Sequence, residues 1–336
     1  MSRFKKYINW NSQYCFSRPP GDPGRPKGVI YSVVDGKVVI EHEKIESLKK
    51  YKLVIANLSI HNWDERIQKM CYDLLDEHGV NFIHMTNDPS EHQQRPRTYF
   101  YPYHLYEGPD ELTWPQFDPA HVDKKFLVSS LNGVPRPHRI QTYMMLRKKP
   151  YYDQCLVNFH GRNMRWGGET RGDDESVDTD LWAEWETIKS DLPKFEQDQI
   201  WKDVCHPAYT DSYINLVTET TVVPRIYLTE KTWKPIGCGQ LFLFVSNPGT
   251  VAHLRNMGVD CFDDYIDHNY YDSESDFKTR LRKMYEVLDE LVAQDLRQIY
   301  IDTQDRRAAN RQKFFDSTFD NQSWHQQVVD IIKANQ

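Results

Sequence analysis

The chain has 336 residues, 39% of them hydrophobic, and a formal net charge of −7. That length suffices for two domains with separate cores, and the acidic balance argues against a protein whose affinity rests on neutralising many duplex phosphates. The longest apolar run, LFLFV at 241–245, is too short to span a bilayer.

The N-terminal stretch MSRFKKYINW is basic and then aromatic, without the apolar core of an export signal, so a cytoplasmic location is expected. Six cysteines are scattered singly and read as reduced thiols. Residues 1–28, with SRPPGDPGRPKG, read as an irregular lead-in. GVIYSVVDGKVVIEH reads as a β-hairpin turning at Asp35-Gly36. YKLVIANL is a buried-strand pattern, WDERIQKMCYDLLDEHG a helix closed by Gly79, and VNFIHMT another strand. Strand, helix and strand in succession form a βαβ unit, predicting a parallel sheet in an N-terminal domain over 29–120. The prolines between Pro89 and Pro119 predict an irregular crossing between domains, with the boundary near residue 121.

The α/β rhythm resumes over 121–300. KKFLVSSL, CLVNF, YINLVTET and QLFLFVS read as strands, with helices at HRIQTYMMLRKK and TEKTWKPIG and a long polar insertion after CLVNF. A further strand is predicted at GVDCFDD, a helix at DFKTRLRKMYEVLDELVAQ, and over 301–336 helices that could pack back on the N-terminal domain. The fold class expected is α/β, with two Rossmann-like domains facing a cleft.

Three segments follow a strand and open a helix, at the sheet edge where open α/β folds bind ligands. In LVSSLNGVPRPHRIQ, Asn132 leaves the strand and Arg139 enters the first helical turn, in outline a phosphate site; pairing with a surface carboxylate is the plainer alternative. In TETTVVPRIYLTEKTWKPIGCG, Thr229 is a candidate N-cap, Glu230 could accept ribose hydroxyls, and Lys231 sits at the positive end of the dipole, where a bound anion would compensate it. An ordinary capped surface helix fits the same residues. In FVSNPGTVAHLRNMG, Asn247 begins a tight turn near the edge, or a plain connection.

The order of these elements, with Glu219 at a strand end before Tyr227-Leu228-Thr229-Glu230-Lys231, resembles the donor-binding half of fucosyltransferase-type enzymes with the GT-B fold. It is also similar to glycosyltransferase-like proteins of tailed phages. The resemblance covers roughly residues 126–267. It implies donor-binding roles for Arg139, Tyr227, Glu230 and Lys231, and a nucleotide-sugar co-substrate such as a UDP- or GDP-sugar, with no tightly bound cofactor. Glu219-Thr220-Thr221 stands where the family carries E-N-S, which leaves the sugar open.

Sugar transfer releases a nucleoside diphosphate whose charge needs stabilising; Arg139, Lys231 and two helix N-termini could supply this without a metal. The one Asp-x-Asp, Asp178-Thr179-Asp180, lies in an acidic stretch that reads as a solvated loop, and no histidine spacing suggests a metal site. Candidate bases on loops toward the cleft are Asp64, Glu65, Asp88 and Glu91, one of them expected to act; each also fits a surface carboxylate or cap. His160 and Arg162 could touch donor or acceptor. The acceptor expected is a glycan hydroxyl or a hydroxymethylated base in phage DNA; the alternative is a non-catalytic nucleotide- or nucleic-acid-binding module on the same fold.

Overall fold

The structure is a computed structural model. It describes residues 31–34, 37–40, 54–56, 65–86, 97–100, 113–133, 135–159, 179–188, 204–222 and 226–316, with single positions at 45, 46, 48, 327, 330, 331 and 334. The chain divides into two compact units, residues 1–103 with 322–336, and residues 104–321.

In the first unit, β1 (Tyr31–Val34) and β2 (Lys37–Ile40) pair antiparallel. The hairpin's turn at Asp35-Gly36 lies outside the described residues. β3 (Val54–Ala56), α1 (Glu65–Glu77) and β4 (Phe82–Thr86) form the expected βαβ unit, with β3 and β4 parallel. Gly79 leaves α1 at φ +65°, a left-handed conformation in which a side chain would be strained. Tyr72 of α1 stacks on Phe82 at 5.7 Å, fastening the helix to the buried strand. A third parallel strand, β5 (Thr98–Phe100), joins β4 in the proline-rich stretch expected to be irregular. Three β-forming residues between Pro96 and Pro102 suffice once the His84 amide donates to the Arg97 carbonyl at 2.9 Å.

The second unit holds four parallel strands, β6 (Phe126–Asn132), β7 (Cys155–Phe159), β8 (Ser212–Thr218) and β9 (Leu241–Val245), in the order β7-β6-β8-β9. Its longer described helices, in chain order, are α2 (Pro137–Arg147), α3 (Thr179–Ile188), α4 (Glu230–Gly237), α5 (Thr250–Asn256), α6 (Phe277–Val292), α7 (Leu296–Asp302) and α8 (Gln304–Asp316). β8 and β9 are buried along their whole length, and β9, LFLFV, reads as a continuous apolar run. The β6–β7 and β8–β9 connections travel in opposite directions. Right-handed crossovers therefore put α2 and α4 on opposite faces. α2 packs with α6, where the Tyr285 hydroxyl donates to the Thr142 carbonyl, and α4 packs with α8, where Trp233 and Phe314 stack at 6.5 Å. The fold is mixed α/β with parallel sheets, compatible with a Rossmann-like unit.

Three local expectations differ from what is observed. GVDCFDD forms no strand: the Asp260 amide donates to Asn310 Oδ1, the Phe262 amide to Asp260 Oδ1, and Phe262 has φ +60°, so side chains take the place of a ladder. The polar insertion contains α3, in which Thr179 and Asp180 are the first helical residues rather than part of a loop. Residues 113–121 pack within the second unit. Trp114 meets Phe314 edge-on at 5.1 Å, Arg311 donates to the Pro115 and Gly237 carbonyls, and Arg307 donates to those of Pro119 and Gly239. Cations at the carbonyl end of α4 contribute on the order of 0.3–1 kcal/mol each.

Candidate functional site

β6 and β8 are neighbours whose crossovers leave in opposite directions, so the switch point of the sheet lies between their carboxyl ends. Asn132 ends β6 and Thr218 ends β8, and the Thr218 hydroxyl donates to Asn132 Oδ1 at 2.6 Å. Both side chains are buried. This pair closes the floor of the switch point.

Above it runs the dipeptide Glu219-Thr220, on which three cations converge. Arg139 Nη2 donates to the Glu219 carbonyl at 3.2 Å, Arg136 Nη1 to the Thr220 carbonyl at 2.6 Å, and Lys231 Nζ to Thr220 Oγ1 at 3.5 Å. His138 Nε2 also reaches the Glu219 carbonyl, at 2.9 Å. Side chains from the beginnings of α2 and α4 thus reach the same two residues. Burial and the neighbouring Arg136 draw Arg139 down to about 10, so it remains a cation at neutral pH.

The three helix beginnings are not equivalent. At α4, the Glu219 carboxylate accepts the Thr229 amide, the Thr229 and Thr232 hydroxyls and its neighbour's amide at Thr220. Thr229 caps the helix as expected, its hydroxyl accepting from the Lys231 amide at 3.3 Å. The Lys231 ammonium lies 2.7 Å from Glu230 Oε1. The negative charge that Lys231 calls for at a positive dipole end is thus supplied by the chain's own carboxylates. At α5, Asp272 fills the same role, accepting the Val251 and Ala252 amides at 2.9 Å each. Asn247 is fully buried there, and its carbonyl accepts from the Thr250 hydroxyl. α2 differs: its N-cap is Arg136, which makes no side-chain capping bond, and Pro137 follows.

Tyr227 is buried, and desolvation raises its hydroxyl well above the ordinary tyrosine value. Lys234, on the inner side of α4, is pushed down by burial. Thr220 and Thr232 belong to this cluster, and so do Arg136 and His138, which the sequence did not single out. The run PRPHR placed Arg136 only three residues before Arg139, one helical turn back, which was the available signal.

Of the candidate bases, Asp64, Asp88 and Glu91 lie outside the described residues, and Glu65 is described only as the first residue of α1. His160, Arg162 and Asp178 also lie outside them. Among the described residues, no three His, Cys, Asp or Glu side chains are grouped to hold a metal ion, and no helix is long and apolar enough to cross a membrane. A cavity of about 400 Å³ lies elsewhere, at the amino edge of the same sheet. No protein-family model matches the chain, and no curated protein matches it either.

Proposed function

We propose that the chain is a glycosyltransferase of two-domain GT-B type, holding the diphosphate of a UDP- or GDP-sugar at the carboxyl ends of β6 and β8. One observation carries the reading: Arg136, Arg139 and Lys231 come from two separate helix beginnings and meet on Glu219-Thr220 at the switch point. Three cations against the carboxylates of Glu219 and Glu230 make the local balance positive, as a departing diphosphate requires. The start of α2, where the side chain of the N-cap residue Arg136 reaches Thr220 instead of capping the helix, supplies dipole character for phosphate oxygens.

In this reading Arg139 and Arg136 face the phosphates, Lys231 exchanges part of its contact with Glu230 for the incoming anion, and Glu230 can turn to a ribose hydroxyl. Glu219 acts as a positioning residue, because its carboxylate is consumed in holding α4. Tyr227 and Asn247 shape the wall, and Asn132 with Thr218 the floor. The acceptor is a glycan hydroxyl or a hydroxymethylated base in phage DNA, with the base in the N-terminal unit, and the protein acts in the cytoplasm.

The test is a thermal-shift screen of UDP-, GDP- and CMP-sugars, since a compound that binds only the folded state raises the unfolding midpoint. A shift with a UDP- or GDP-sugar, with turnover to free nucleoside diphosphate, is expected. Binding without turnover on any glycan or DNA acceptor would favour a non-catalytic module; no shift with any nucleotide would overturn the reading.

A further inference from the structure

The cavity of about 400 Å³ lies at the opposite edge of the sheet from the β6–β8 crevice, where Lys124 precedes β6, Asp211 precedes β8 and Gln240 precedes β9. Its volume falls in the range of small-molecule sites. Two cations line it. Lys124 Nζ donates to the Thr210 carbonyl at 2.7 Å and sits 5.8 Å from the centre of the Tyr300 ring. The Arg307 guanidinium stacks on that same ring at 3.9 Å.

An ammonium carries three N–H bonds and a guanidinium five. Arg307 uses Nε on Thr303 Oγ1, Nη2 on the Tyr300 and Pro119 carbonyls, and one Nη1 hydrogen on the Gly239 carbonyl. Among the described residues, two ammonium hydrogens of Lys124 and one Nη1 hydrogen of Arg307 are left uncommitted. Neither cation forms an ion pair with a described carboxylate. The two acids on the rim also have partners of their own: Asp118 Oδ1 accepts the Ala120 amide at 2.9 Å, and Asp211 lies 3.8 Å from His121 Nε2. Phe117 adds an apolar wall.

We infer that this cavity binds a small organic carboxylate, its oxygens taking the free hydrogens of Lys124 and Arg307 and its carbon frame lying against Phe117. Burial and the Arg307 guanidinium lower Lys124 to about 8, against the weaker opposite pull of Asp211, Cys238 and Asp118. A bound anion relieves the repulsion between the two cations. His121 on the rim adds a third cation only when protonated. Because Lys124 is charged below its value and neutral above it, binding weakens as pH rises through 8.

The experiment uses the full chain with benzoate, succinate and inorganic phosphate, and reads the unfolding midpoint and the dissociation constant. At pH 6.5, benzoate or succinate is expected to raise the midpoint by about 3 °C, and at pH 9.5 to bind about tenfold more weakly. Lys124→Gln should abolish the effect and Lys231→Ala should leave it intact, which separates this site from the proposed nucleotide site. Should Lys124→Gln fold poorly, acetylation of Lys124 in the wild-type chain, followed by peptide mass spectrometry, gives the same answer: succinate should slow it while other lysines react as before. No shift with either carboxylate, an equal shift in folded Lys124→Gln, a response to phosphate alone, or unchanged acetylation would each overturn the assignment.

Discussion

Glu219 and Thr229 are joined twice: the Thr229 amide donates to Glu219 Oε1 at 3.0 Å and its hydroxyl to Oε2 at 2.7 Å. Thr232 adds a third bond at 2.6 Å. A fully buried carboxylate is thereby satisfied by the beginning of the helix it anchors. That arrangement makes α4 and the end of β8 one rigid piece.

Replacing this carboxylate should therefore be felt in stability before anything else. Glu219→Gln turns an amide NH₂ toward donors, and we expect a loss of about 1–3 kcal/mol in urea unfolding. Thr232→Val should lose about 1 kcal/mol, and the double variant less than the sum, because both remove one bond. Additive losses would show that the two side chains do not act together.

Gly237 and Gly239 stand where the 113–121 segment crosses the end of α4. A Cβ at Gly237 would come within 2.5 Å of the Trp114 ring and 2.9 Å of Phe314. One at Gly239 would strike Phe117, and that glycine also has φ +65°. Gly237→Ala is expected to lose about 1–3 kcal/mol through overpacking, and Gly239→Ala more, since backbone strain adds to the clash. Thermal unfolding of the two variants checks the order; an unchanged midpoint for Gly239→Ala would contradict this packing.

Acid sensitivity follows from His268. Its Nε2 contacts the Cys261 carbonyl at 3.0 Å, which can only accept, so Nε2 carries the proton and Nδ1 accepts from the Tyr271 hydroxyl at 2.7 Å. The neutral ring is fully satisfied, and burial lowers it to about 4; His253 is lowered to about 4 in the same way. Unfolding frees both rings to take protons near 6.5. The unfolded state therefore binds more protons between pH 4 and 6.5. The stabilisation is complete above pH 6.5 and is lost as pH falls toward 4, by about 2–3 kcal/mol per ring. NMR titration of the imidazoles checks this directly: a His268 resonance moving with a midpoint near 6.5 would refute the assignment.

Lys231 separates recognition from stability. Its side chain is partly exposed and its strongest partner is the adjacent Glu230, so Lys231→Ala should leave the unliganded midpoint nearly unchanged. Affinity for a UDP- or GDP-sugar should fall about tenfold, equivalent to about 1.4 kcal/mol. Calorimetry with wild-type and variant protein measures it, and equal affinities would remove Lys231 from the donor site.

Much of the second unit was legible from local pattern. Its four strands and the helices α2, α4 and α6 lie where apolar periodicity predicts them, and Thr229 caps α4 as its residue type suggests. β5 and α3 were not legible, because three residues between prolines and a polar stretch carry too little periodic signal. At the site, Arg139 and Lys231 stood out by their positions at helix beginnings. Arg136 did not, because its bond goes to Thr220, 84 residues away.

By itself, the chain's pattern determines most of the strands and helices and where several of them stop, since periodicity, capping and left-handed glycines act over a few neighbouring residues. Tertiary structure alone decides the order β7-β6-β8-β9, and with it the switch point. It also decides that Glu219 holds a helix ten residues downstream and that Asp272 holds one starting twenty-two residues before it. Those pairings depend on crossover handedness and on close packing of distant segments, which no local run of residues encodes.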